Sequence, residues 1–121
     1  MIIQLKRVYE TSSPKDGYRV LVDRLWPRGI SKEKANLDEW NKNLAPSNEL
    51  RKWFHHDPSL WKIFTEKYTD ELKSRDDSQE FLERNKKHEV ITLIYAEKDQ
   101  EHCHPLVLQS YLQKLIKKLK F

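Results

Sequence analysis

Tyr18-Arg19-Val20-Leu21-Val22-Asp23-Arg24-Leu25-Trp26-Pro27-Arg28-Gly29 is the stretch on which the fold turns. Tyr18 to Asp23 is a nearly continuous apolar run, the pattern of a central strand covered on both faces rather than one with a wet side. The strand stops near Asp23, because Pro27 and Gly29 force an irregular loop. Upstream, Ile2 to Tyr9 is rich in β-formers and runs into a turn-like segment from Thr11 to Gly17, so it reads as a first strand. Downstream, Glu89 to Tyr95 is the clearest strand in the chain, and the loop Ala96 to His104 leads into a helix that opens at Pro105.

Between these strands the pattern turns helical. Ser31 is placed to cap a short turn, Ser47 to cap a helix carrying Leu50, Trp53 and Phe54, and Asp57-Pro58 to open a longer one lined by Trp61, Phe64, Tyr68 and Leu72. Ser78 reads as the cap of another short helix with Phe81 and Leu82. Leu37 to Leu44 fits either period and is read as a short strand. Strands, then helices, then a strand and a helix predict an α/β fold: one mainly parallel β-sheet flanked by helices, as a single domain over residues 1–121.

Composition narrows the function classes. The 121 residues are 35% charged and 37% hydrophobic, with four Trp, five Tyr and four Phe to fill a core. No apolar run approaches the roughly 20 residues of a membrane span, and the N-terminus lacks the pattern of a signal peptide, so a cytoplasmic protein is expected. The single cysteine, Cys103, excludes an internal disulfide and a multi-cysteine zinc site. The net charge of +4 is confined to Lys114, Lys117, Lys118 and Lys120, since the remaining bases and acids balance. Those lysines end an amphipathic segment in which Leu108, Tyr111, Leu112, Leu115, Ile116 and Leu119 follow helical spacing, and they complement a helix dipole.

Polar chemistry gathers in two loops that follow buried strands, residues 23–29 and 97–104. In open parallel sheets such loops meet at the carboxyl ends of the strands, where ligands bind. Arg24 and Arg28 offer planar donors suited to phosphate or carboxylate, and the start of the last helix adds a positive dipole end. Asp23 could instead pair with Arg24 or Arg28 to brace the loop, and Trp26 serves either as packing or as a ligand platform. The second loop holds Glu97, His102, Cys103 and His104. A histidine there suits proton transfer, with Glu97 to orient it; Cys103 is an alternative nucleophile. His102 and His104 with Glu97 also offer a weak metal-site spacing. His56, at the junction of two helices, joins the pocket if that junction folds over the sheet end. No Gly-rich phosphate loop, nucleophile elbow or nucleotide fingerprint is present, which disfavours kinases, nucleotide-dependent dehydrogenases and α/β-hydrolases.

The segment from Tyr18 to Gly29, together with Leu44-Ala45-Pro46-Ser47, Leu50-Arg51-Lys52-Trp53-Phe54, His56-Asp57-Pro58 and Thr92-Leu93-Ile94-Tyr95-Ala96, resembles the short, YeaO-like branch of the domain-of-unknown-function family 488. The likeness spans about residues 5 to 115. It implies an α/β domain with a parallel sheet and no established activity or cofactor. Positions matching the family pattern are Asp23, Arg24, Trp26, Pro27, Arg28, His56, Asp57, His102 and His104. Relatives commonly carry Asn at the position of Cys103, which argues against an indispensable thiol.

The sequence thus leads to a protein that binds an anionic, phosphate-containing molecule through Arg24 and Arg28, with Trp26, His56 and His102 lining the pocket. It calls for no cofactor and no metal. If substrate is turned over, hydrolysis or group transfer is expected, with Asp23 or His104 moving the proton and Glu97 or Asp23 orienting a histidine. Two other roles stand beside this one: a nucleic-acid-binding or regulatory module using the basic C-terminal helix, and a protein-interaction domain. Oligomeric state is left open.

Overall fold

The computed structural model describes residues 1–121. Four strands, β1 (Ile2–Arg7), β2 (Tyr18–Leu21), β3 (Glu39–Trp40) and β4 (Val90–Tyr95), form one all-parallel sheet in the order β1-β4-β2-β3. β4 therefore lies between the first two strands of the chain, with Ile3 opposite Ile91 and Val20 opposite Leu93. Helix α1 (Lys32–Ala35) joins β2 to β3. Helices α2 (Asn48–Phe54), α3 (Trp61–Lys73) and α4 (Asp77–Arg84) fill the long connection to β4, and α5 (His104–Leu119) follows it. No helix is long and apolar enough to cross a membrane.

Strand alternation sorts the side chains onto two unlike faces. Ile3, Val20, Val22, Ile91 and Leu93 point to the helical side and pack with Leu50, Phe54, Phe64, Tyr68, Leu72, Phe81, Leu82, Leu108 and Leu112. Each large apolar side chain buried there contributes roughly 1.5–3 kcal/mol. The opposite face carries Leu21 and Ile94, packed with Val8 and Ala35, and a buried polar network. Asp16 sits at its centre, taking Lys6 Nζ at 2.9 Å and Arg19 Nη1 at 2.6 Å, while Arg19 also donates to the Ala35 and Asn36 carbonyls. Burial alone would push the Asp16 carboxyl up, but hydrogen bonds from Lys6, the Ser13 N–H and Arg19 outweigh it and hold the group below its ordinary value. This network anchors the short link from β1 across β4 to β2. The predicted double-sided cover of β2 is thus present, with one side apolar and the other part apolar at Leu21 and part polar at Arg19.

Several boundaries differ from the sequence reading. The first two strands end at Arg7 and Leu21, two residues earlier than their apolar patterns extend. The segment from Leu37 to Leu44 yields only a two-residue strand, because Asn41 caps a 3-10 turn at Lys42–Leu44 by accepting from the Asn43 N–H. Ser78 is no cap: it lies inside α4, buried, with its hydroxyl unpartnered, and the helix opens instead on Asp76 and Asp77. Ser31 and Ser47 do cap α1 and α2, accepting from the Lys34 and Leu50 N–H groups. Asp57 accepts from the Ser59 N–H and hydroxyl, starting a 3-10 turn at Pro58–Leu60 that runs into α3.

Gly17 ends the β1–β2 link at φ +62, and a Cβ there would stand 2.3 Å from the Val90 carbonyl oxygen. Gly29 has φ +72 but open space around it. Gly17→Ala is therefore expected to destabilise by about 2–4 kcal/mol, strain plus clash, against about 1 kcal/mol for Gly29→Ala. Urea denaturation of the two variants measures the difference; equal losses would contradict the close approach.

Candidate functional site

The parallel pairing of β2 with β4 delivers the two polar loops to the same edge of the sheet, and side-chain bonds lock them there. Beyond β2, the Val22 N–H still donates to the Ile94 carbonyl. The Asp23 carboxylate then accepts from the Ala96 N–H at 2.9 Å. His104, the first residue of α5, reaches back with Nε2 to the Val22 carbonyl oxygen at 2.9 Å and stands 3.6 Å from Asp23 Oδ1. A carbonyl only accepts, so Nε2 carries the proton in this arrangement.

Burial pushes the Asp23 carboxyl up, against the charge of His104 and the Ala96 hydrogen bond. Burial likewise holds the His104 imidazole below the ordinary histidine value, with Asp23 pulling the other way. Burial thus opposes the charged form of each, and both stand partly buried at the edge of the sheet.

The arginines divide. Arg24 braces the loop before α2, donating through Nε to the Pro46 carbonyl at 3.1 Å and through Nη2 to that of Ala45 at 3.4 Å. Arg28 is exposed; its carbonyl accepts from the Tyr9 hydroxyl at 2.7 Å, while its guanidinium has no protein partner. Neither pairs with Asp23. Trp26 packs edge-on to Trp40 and donates to the Ile30 carbonyl, and Trp40 donates to the Asp23 carbonyl, so the aromatic pair holds the loop from outside.

The α2–α3 junction folds over this edge. His55 (φ 44) and His56 (φ 56) are consecutive non-glycine residues in the left-handed region, each costing roughly 1 kcal/mol. The reversal they make brings His56 Nδ1 to 2.7 Å from Glu97 Oε2, although His56 itself stays largely exposed. His102 and His104 do not point the same way, because the extended chain ends between them. His102 bonds through Nδ1 to Asp99 Oδ2 at 2.8 Å and stacks edge-on against Trp61, whereas His104 is already helical. The His-x-His arrangement with Glu97 is therefore not formed, and no three His, Cys, Asp or Glu side chains converge in a metal-binding cluster. Cys103 is 2% exposed, its sulfur 3.9 Å from the Gln100 carbonyl, and burial pushes its thiol up, away from the reactive thiolate.

Two adjoining hollows of about 510 Å³ each open along this edge, sharing Leu25, Pro46, Arg51, His56, Glu97 and His104. Lys52, His55, His102 and Cys103 extend the first; Asp23, Arg24, Trp26, Arg28 and Lys98 extend the second. Together the walls carry five fixed cations, Arg24, Arg28, Arg51, Lys52 and Lys98, against the two carboxylates Asp23 and Glu97. Arg51 and Lys52 escaped the sequence reading. They occupy the wet side of α2, and only the fold shows that this side faces the loop after β4. Arg51 is exposed, bonded only to Asn48 Oδ1 within its own helix, and its charge acts on both Asp23 and His104.

A family model described as the inactive DUF488-N3 subclade matches residues 2–120. The chain is 45% identical over 115 residues to the uncharacterized protein YeaO of Escherichia coli K12, covering 95% of this chain and all of that one. It is 40% identical over 112 residues to the uncharacterized proteins Mb3100c of Mycobacterium bovis and Rv3073c of Mycobacterium tuberculosis, covering 91% of this chain and 92% of each. No solved structure matches.

Because the native state resists a proton at His104 that the unfolded chain accepts near pH 6.5, stability is full above that value and falls as the pH drops below it. Unfolding free energies from urea denaturation between pH 7.5 and 5 should decline with a slope of at most about 1.4 kcal/mol per pH unit from this group, and His104→Gln should flatten that limb. An unchanged slope in the variant would contradict a buried neutral imidazole. His55→Gly, which relieves one left-handed residue at the end of α2, should raise stability by about 1 kcal/mol in the same assay.

Proposed function

The chain belongs to the DUF488 family, within the subclade described as inactive, and on that premise we propose that it binds a small phosphate- or carboxylate-bearing anion without turning it over. The observation that carries this reading is Arg51: a guanidinium with no carboxylate partner, in the wall shared by both hollows, among five cations and two acids. Arg28, Lys52 and Lys98 stand on the same rim as further donors, and Arg24 supports the wall from behind. A planar guanidinium suits two-point recognition of phosphate or carboxylate, and several cations around one concavity add to its positive potential.

Binding is favoured over hydrolysis or group transfer by the disposition of the reactive groups. His104 spends its Nε2 proton on a backbone carbonyl, Asp23 accepts from a backbone N–H, and the Cys103 thiol is buried and held protonated. To act through those atoms, His104 Nε2 and Asp23 Oδ2 would each give up a backbone bond, and the Cys103 thiol would have to leave its buried position. Trp26 belongs to the packing of the loop on this reading, while His56 and His102 are wall residues whose Nδ1 atoms are already bonded to Glu97 and Asp99. The proposed setting is the cytoplasm, as one domain over residues 1–121, with no cofactor required.

Titration with pyrophosphate, followed by backbone amide resonances, tests this. Saturable shifts are expected at Leu25, Glu97 and Lys98, with affinity at least tenfold weaker in Arg51→Ala, the loss of one charged hydrogen bond. Unmoved amides in the parent protein, or equal affinity in the variant, would overturn the proposal.

A further inference from the structure

A second concave surface lies on the helical side, between α3 and α5, and shares no residue with the hollows at the sheet edge. Its volume is about 560 Å³, within the roughly 300–1,000 Å³ of small-molecule sites. On α3, Thr65, Thr69 and Lys73 recur every four residues and so form one row; on α5, Val107, Ser110, Tyr111, Lys114, Leu115 and Lys118 form the facing row. Both helices begin near the carboxyl edge of the sheet, where Trp61 meets His102. They therefore run side by side in the same sense, and the groove grades from hydroxyl and apolar groups at one end to three lysines at the other.

Three features single out this groove. It is lined by no Asp or Glu, because Glu66 and Asp70 of α3 stand one position further round the helix. Lys73, Lys114 and Lys118 take part in none of the ion pairs of the molecule. The Thr65 hydroxyl is shut off from solvent with no hydrogen-bond partner. Three like charges converging on a concavity, with no acid to offset them, raise a positive potential that an anion relieves. Two of these lysines belong to the set that makes up the whole net charge of the chain, so the excess is directed into the groove rather than only along a helix end.

We propose that this groove is a second ligand site, taking a soluble phosphate monoester with an apolar or aromatic body. The lysines hold the phosphoryl group as compact point charges, Thr69 and Ser110 supply hydroxyl donors, and the body rests on Val107, Tyr111 and Leu115. A monoester is favoured over a polynucleotide because the charge is gathered at one end of a short concavity and Tyr111 is half-buried, not presented as a stacking platform.

Phenyl phosphate and inorganic phosphate are the probes, with backbone amide shifts as the readout. Saturable shifts are expected at Thr65, Thr69, Ser110 and Lys114, with phenyl phosphate binding several-fold more tightly than inorganic phosphate. Lys114→Gln with Lys118→Gln should weaken binding at least tenfold; both side chains are exposed and Gln is as good a helix former as Lys, so the fold is retained. Arg51→Ala should leave these shifts within twofold, which separates this groove from the sheet-edge site. Absence of saturable shifts at these amides, equal affinity in the lysine double variant, or a response to duplex DNA but not to phenyl phosphate would each overturn the proposal.

Discussion

Two hydrogen bonds across the carboxyl edge of the sheet, from the Ala96 N–H to Asp23 and from His104 Nε2 to the Val22 carbonyl, hold the rest of the candidate site in place. They extend the β2–β4 ladder past its last strand residues. Without them the loop after β2 would be held mainly by Arg24 and the Trp26–Trp40 pair, and α5 would lose the link that seats its first turn against the strand end. The groups that look most like catalysts by residue type are thus committed to structure. The cations without an ion-pair partner stand around them: Arg28 and Lys98 on the loops, Arg51 and Lys52 on α2.

The same division explains what could be read from the sequence. The strands around Val20 and Leu93 declared themselves because both faces of a central parallel strand are covered, so apolar residues run on without a break. Ser31, Ser47 and Asp57 were legible as caps because the need for a side-chain acceptor at a helix start is local. The meeting of the two loops followed from topology, since parallel strands bring their carboxyl ends to one edge.

What the sequence withheld depends on long-range placement. Arg51 and Arg24 are the same residue type in loops or helices of similar character, and nothing local says that one guanidinium turns inward to the Pro46 carbonyl while the other stays open. Trp53, which has the spacing of a core residue on α2, is exposed and lies under the Lys67 ammonium at 4.9 Å instead. His102 and His104 would share a face only in extended chain, and the helix starts between them. Ser78 has the composition of a cap but stands one residue inside a helix opened by two aspartates. The lysine-lined groove was hidden for a similar reason: Lys73 and Lys118 are 45 positions apart, and only the packing of α3 on α5 unites them.

The sheet edge depends on His104 as a structural, neutral imidazole with its proton on Nε2. Long-range nitrogen–proton NMR of the histidine rings reads tautomer and charge directly for each of the five histidines. The His104 ring is expected to show a protonated Nε2 and an unprotonated Nδ1 at pH 7, and to become cationic only below the ordinary histidine value of 6.5. A ring protonated on Nδ1, or one that becomes cationic at or above the ordinary histidine value, would contradict it.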